Sequence, residues 1–182
     1  MTASVRARFL AGLLALGIAH SATAAVAAFL KIDGVEGEST DVRHQGEIDV
    51  LSFSYSIVNS PPTGGGGGAS KPVLSDLTIS KYLDKSTPIL HQRSAQGMYF
   101  RTAVLTLQKV GESPFVFYQV KLTDVRIVSV STAGVAGRDD DRPIETVALA
   151  FGKVEWIYTP QAPDGTAGTP VEGSWDVARN SP

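Results

Sequence analysis

Period-two alternation of apolar and polar side chains dominates the chain. In "LSFSYSI", Leu51, Phe53, Tyr55 and Ile57 alternate with Ser52, Ser54 and Ser56, which predicts a half-buried strand with one wet face. "AVLTLQKV" repeats the pattern, with Leu105 and Leu107 on one side and Thr106 and Gln108 on the other. "FVFYQVKL" and "VRIVSVS" follow, set off by Gly111 and Asp124 and rich in β-branched and aromatic residues. In "ETVALAFGKVEWIY", Val147, Leu149 and Phe151 share one side. The phase shifts at Gly152, and Val154, Trp156 and Tyr158 then alternate. A glycine at a phase change predicts a bulge or a barrel corner.

One segment departs from this rhythm. After the strand-like "LTISKY", residues 84–96 read "DKSTPILHQRSAQ" and are closed by Gly97. Ser86 or Thr87 suits the N-cap, Pro88 the first turn and Gly97 the C′ position, so a single short helix is predicted here. Three stretches read as loops by composition: Asn59 to Pro72, with five consecutive glycines; Ala133 to Pro143; and Pro160 to Pro170. Many strands, one helix and no alternating strand–helix rhythm predict a β sandwich or barrel.

The N-terminus changes the picture of where this domain works. Arg6 and Arg8 precede an apolar run from Phe9 to Ala19, and Ala22-Thr23-Ala24 has the small-x-small pattern of a signal-peptidase site. The run is shorter than the ~20 residues a bilayer span needs. Residues 1–24 are therefore read as a cleaved export signal, with cuts after Ala24 or Ala25 both fitting, and residues 25–182 as one domain. A cut after Ala24 leaves 182 − 24 = 158 residues and, with two arginines gone, takes the formal charge from −2 to −4. A chain of this length buries roughly 70% of its unfolded surface. No Lys/Arg cluster stands out, which argues against a nucleic-acid partner. The chain has no cysteine, excluding disulfides, thiolate zinc sites and thiol catalysis.

Motifs for catalysis or ligands are missing. The glycine run is no phosphate loop, because Lys71 is followed by Pro72 with no Ser/Thr and no helix start. Asp139, Asp140 and Asp141, flanked by Arg138 and Arg142, lack the spacing and terminal glutamate of a calcium loop and read as a solvated acidic turn. Glu36 and Glu38 lie near Asp33 in sequence, without further sign of a paired acid and base. His44 and His91 are the histidines of the mature chain, and an enzyme reading requires one of them in a pocket beside a carboxylate. No catalytic, metal or cofactor site is expected, and the chain reads as one that acts by surface and assembly.

Several blocks resemble one known family. "FLKIDGVEGESTDVRHQGEIDVLSFSYSIVNS" (29–60) resembles the N-terminal third of Hcp, the haemolysin-coregulated tube protein of type VI secretion. "SDLTISKYLDKSTPIL" (75–90), "YQVKLTDVRIVSV", "PIETVALAFGKVEWIYTPQ" and the terminal "GSWDVARN" (173–180) are similar to further blocks, in the family's order. The resemblance implies a compact β-barrel of two sheets with one helix alongside, six copies in a ring, rings stacked into a tube, and an extended loop near 59–72 aiding the stack. It also implies secreted effector proteins and a spike or sheath component as partners, or a carrier role with effectors held in the ring's lumen. The five glycines in the loop and the export signal depart from the family pattern. A working signal implies a periplasmic or extracellular ring or filament assembled apart from a cytoplasmic contractile machine.

Overall fold

The computed structural model describes residues 25–59, 71–134 and 142–182. Residues 1–24, read above as an export signal, the glycine run and Asp139–Asp141 lie outside these residues. Among the described residues, eleven strands and one helix run in the order β1 (Val26–Ile32), β2 (Ile48–Val50), β3 (Ser52–Ser54), β4 (Ile57–Val58), β5 (Val73–Leu74), β6 (Leu77–Tyr82), α1 (Thr87–Gln96), β7 (Tyr99–Lys109), β8 (Phe115–Ala133), β9 (Ile144–Ala150), β10 (Lys153–Tyr158) and β11 (Val171–Asp176). The main sheet has the order β2-β1-β7-β8-β9-β6-β3, and every pairing is antiparallel. Only Leu51 separates β2 from β3, and its N–H donates to the Ser80 carbonyl at 2.8 Å. Residues 48–54 thus pass from β1 to β6 and close the order on itself as a barrel, which removes the edges an open sheet leaves unpaired. Alternate residues from every wall fill it: Leu30, Ile48, Ile79, Leu105, Leu122 and Leu149 are all buried.

β8 is one strand of 19 residues, where the alternation predicts two separated at Asp124. Asp124 still marks the change. Up to Thr123 the strand pairs with β10, and from Arg126 onward it pairs with β9. Asp124 takes φ +53°, a left-handed conformation that its short polar side chain tolerates better than most. Gly152 sits opposite, between β9 and β10, and donates its N–H to the Thr123 carbonyl at 2.9 Å. A Cβ there would come within 3.2 Å of the Asp124 Cβ. Gly152 is therefore the corner its phase change predicts. It lets the chain step from one half of β8 to the other.

α1 runs Thr87–Gln96 with a proline in its first turn. Gly97 closes it at φ +62°, with the N–H groups of Gly97 and Met98 donating to the Ser94 and Arg93 carbonyls. Ser86 holds the N-cap position but not in the predicted manner. Its backbone is already helical, so its hydroxyl turns back to Asp84 Oδ1 and caps nothing. The helix is tied to the barrel by a buried cluster instead. Lys81 Nζ donates to Glu145 Oε1 (3.0 Å), Asp84 Oδ1 (2.8 Å), the Tyr82 carbonyl (2.8 Å) and Thr87 Oγ1 (3.2 Å). Lys81 and Glu145 are both fully buried, and His91 on the helix reaches the other Glu145 oxygen at 3.1 Å.

Two patterns resolve differently from their periodicity. "LSFSYSI" is not one half-buried strand: β3 ends at Ser54, β4 starts at Ile57, and Leu51 and Phe53 remain 46% and 37% exposed. The barrel is already closed at this point, so these side chains face outward. Conversely, Thr106 and Gln108 fall on the face the pattern leaves wet, yet are only 3% and 1% exposed. The loop of residues 36–47 folds over them, stacking His44 on Phe29 with ring centroids 4.3 Å apart and setting Asp41 to accept from Gln108 Nε2 at 3.1 Å. Gly37 permits this fold-over, since any Cβ there would collide with the Glu47 carbonyl.

Candidate assembly surface

Beyond the barrel, β8 carries a second layer. β10 pairs with its first half, β11 pairs with β10, and no described strand pairs with the far side of β11. The row Asp49, Phe29, Thr106, Gln119, Ile157 and Glu172 crosses the sheet from β2 to this open edge. The next row on the same face holds Lys31, Val104, Lys121, Glu155 and Ser174. This outer face is polar and charged where the 36–47 loop does not cover it. A shallow cleft of about 460 Å³ runs along β10 and β11, lined by Glu155, Ile157, Glu172, Ser174 and the C-terminal Pro182. Lys153 Nζ hydrogen-bonds Glu155 at 2.8 Å and, with help from Lys121, holds its carboxyl below the usual range. The face thus carries side chains of both charges.

One further feature projects from the barrel. The β4–β5 hairpin is a sheet of its own whose Ile57, Val58 and Val73 are all exposed. A lone two-stranded hairpin is marginal in water, so apolar residues on it call for a covering surface. Inside, the Tyr55 and Tyr118 hydroxyls meet at 2.6 Å, and desolvation together with that bond pushes the Tyr118 phenol well above its ordinary pKa.

His44 and His91 each stand beside a carboxylate, as the enzyme reading requires, but one ring is buried in packing and the other lies on an open surface. His44 Nδ1 meets Glu47 Oε2 at 2.9 Å, while its ring is buried against Phe29. His91 sits on an exposed helix flank, and its partner Glu145 is sealed beneath it. Glu36 and Glu38 serve the start of the helix instead: Glu38 Oε1 accepts the Lys85 N–H at 3.0 Å, and Glu36 pairs with Lys85 Nζ at 3.2 Å. Among the described residues no group of three or more His, Cys, Asp or Glu is placed to hold a metal ion. Nor is any helix long and apolar enough to cross a membrane.

A closed barrel, a flanking helix and an open second layer set the frame for comparison. The sequence profile described as "Type VI secretion system effector, Hcp" matches residues 29–158. The chain belongs to the Hcp family. Protein hcp1 of Pseudomonas aeruginosa is 42% identical over 160 residues, spanning 86% of this chain and 98% of that protein. A solved structure described as that of a type six secretion system protein superposes with a TM-score of 0.80 at 32% identity, over 86% of this chain and 99% of the other. Hcp1 from Salmonella typhimurium follows at 0.72 and 30%, over 86% and 98%. Hcp proteins are structural proteins of type VI secretion that self-assemble into rings, not enzymes, and they leave the cell through that system. The open edge of β11, the polar face and the exposed hairpin are where this Hcp chain differs from a self-sufficient barrel. Strand alternation in "FVFYQVKL" marks Gln119 and Lys121 as outward. Nothing local in sequence marks β11 as an edge.

Proposed function

We propose that residues 25–182 form a secretion-tube subunit, six copies closing into a ring and rings stacking into a tube. The carrying observation is the outer edge of β11, which no described strand pairs and which meets only Ser181, at Asp176, at the end of the β10–β11 layer that lies beyond the closed barrel. Such an edge is a template for a neighbouring copy, and repeated head-to-tail docking about one axis gives a ring. Exposed Ile57, Val58 and Val73 on the β4–β5 hairpin support a role for that hairpin, and for the 59–72 loop it carries, in ring-to-ring contact. Ordering so glycine-rich a loop costs on the order of 1–2 kcal/mol per residue, so the hairpin's apolar contacts have to carry the stack.

The polar face built on Lys31, Gln119, Lys121 and Glu155 favours a second role for the same ring, as a carrier of small secreted proteins along its inner wall. A spike or sheath component is a further partner where the tube forms within a contractile machine, and an export signal that works removes it. Residues 1–24 act as an export signal, which sends the domain to the periplasm or the medium. The family profile's match begins after this segment, at residue 29. The Ala25 carbonyl accepts the Val110 N–H at 2.8 Å, which favours a cut after Ala24 over one after Ala25.

The test is to express the full chain, fractionate the cells, and take intact and native masses of the product. A hexamer starting at Ala25 outside the cytoplasm is the expected result. A monomer at high micromolar concentration would refute the ring, and an uncleaved cytoplasmic product would refute the export signal. A bound protein co-purifying with the ring marks the carrier role.

A further inference from the structure

Met98 carries the one sulfur atom among the described residues, since the chain has no cysteine and its other methionine is Met1. It stands where α1 turns into β7, directly after the left-handed Gly97. An apolar residue at this point commonly packs back onto the last helical turn. Met98 is instead 41% exposed and lies outside the core. Arg93, in that last turn, holds it twice: its carbonyl accepts the Met98 N–H at 3.2 Å, and its Nη1 donates to Met98 Sδ at 2.7 Å. Among the described residues the Arg93 guanidinium has no carboxylate within ion-pair distance. The sulfur and the guanidinium share a shallow cleft of about 180 Å³ with Asp33, Gly34, Tyr99 and Arg101.

A thioether is a weak acceptor, so a guanidinium that donates to one is poorly satisfied. Its strong bonds are the charge-assisted ones to oxygen. Exposed methionine gains such an oxygen from a peroxide. A sulfur lone pair attacks the near oxygen of hydrogen peroxide, and the S–O bond forms as the O–O bond breaks. The departing hydroxide takes the proton from the transferred oxygen and leaves as water. Sulfur is oxidised by two electrons to the sulfoxide, and the peroxide is reduced. In a core this product disrupts packing, because it sets a polar group among apolar ones. Nothing encloses the Met98 sulfur in that way. The side chain is unbranched and turns about its last bonds, so the new oxygen can swing to Arg93. A charge-assisted N–H···O bond then replaces the weak N–H···S contact.

We propose that Met98 is an oxidation site whose product the fold is arranged to receive: peroxide converts it to the sulfoxide, and Arg93 holds the sulfoxide oxygen. The modification tightens the junction of α1 and β7 where methionine oxidation ordinarily loosens a structure. Every group involved lies within one copy of the chain, so the inference is independent of the ring and of the export signal. Because sulfoxide reductases reverse the step, the thioether takes up oxidant repeatedly at no cost to the fold.

The experiment treats the purified full chain with millimolar hydrogen peroxide at one fixed protein concentration. Peptide mapping reads Met98 separately from Met1, and thermal melts compare the protein before and after. Met98 in the folded protein should oxidise within about threefold of the rate in a short unstructured peptide of the same sequence, since susceptibility follows exposure. The melting temperature should rise by roughly 2–4 °C, the gain of about one hydrogen bond in a domain of this size. Sulfoxide reductases, one for each epimer, should return both the mass and the melting temperature to their starting values. Met98→Leu should show no shift with peroxide, and Arg93→Ala should oxidise without the rise. Oxidation more than about tenfold slower than in the peptide would overturn the site. A melting temperature unchanged or lowered by oxidation would overturn the role of Arg93, and so would an equal rise in Arg93→Ala or in Met98→Leu.

Discussion

Replacing Lys81 by methionine tests whether the buried ion cluster holds the helix to the barrel. The ammonium has no measurable water access and serves four acceptors, two of them carboxylate oxygens. Removing one member of a buried pair typically costs about 3–5 kcal/mol, because the remaining charge is left without compensation. Here Glu145 keeps two donors, Thr87 Oγ1 at 3.2 Å and His91 Nε2 at 3.1 Å, which places the cost near the lower bound, about 3 kcal/mol. In a domain of this size each kcal/mol is worth about 2–4 °C, so the melting temperature should fall by roughly 6–12 °C. Urea unfolding followed by the fluorescence of Trp156 and Trp175 reads the same quantity, at fixed protein concentration because assembly stabilises the folded state. The Lys81→Met/Glu145→Gln double variant should lose about 1.5 kcal/mol less than the two single losses added together, the coupling expected of groups in direct contact. A single-variant loss below about 1 kcal/mol, or strict additivity, would refute the clamp.

Other expectations follow from individual positions. Gly37→Ala puts a Cβ against the Glu47 carbonyl, so it should cost about 3 kcal/mol and speed hydrogen exchange at Thr106 and Gln108 as the covering loop lifts. Asp124→Val places a β-branched residue at φ +53° and should cost about 1–2 kcal/mol in a thermal melt, whereas Asp124→Asn should be nearly neutral. The Tyr118 phenol is raised in the folded state, so its stabilising contribution is complete below the ordinary tyrosine range and is lost as pH rises through the folded value. Ultraviolet titration should show this tyrosine ionising last, and Tyr55→Phe, which removes its hydroxyl partner, should bring it down at a cost of about 1 kcal/mol.

Local signals located most of the framework. The proline, the terminal glycine and the break in alternation place α1 to within a few residues, and Gly152 is legible as a corner because its phase change is written in consecutive residues. What failed to read depends on partners distant in sequence. Leu51 and Phe53 alternate like core residues, but the barrel closes through their own backbone and leaves the side chains outside. Thr106 and Gln108 look wet until a loop from some 60 residues earlier covers them. Arg93, Arg101 and Arg126 escape a search for basic clusters, since they belong to three elements and gather around Tyr99 only once β7 pairs with β8. An edge such as β11 is defined by the absence of a neighbour, which no single stretch of sequence records.

The continuity of β8 bears on how such a subunit takes mechanical load. Of its 19 residues, those up to Arg126 pair with β7 on one side and, as far as Thr123, with β10 on the other, while the rest pair with β9, so the strand is a spar shared by both layers. A pull along its first half has to shear hydrogen bonds on both flanks together, where a strand peeled from an edge yields them one at a time. The subunit is thus braced along the direction of β8 and weakest in peeling at β11. A ring that seals β11 against its neighbour would cover that weak flank on every subunit, making closure a source of toughness as well as of shape.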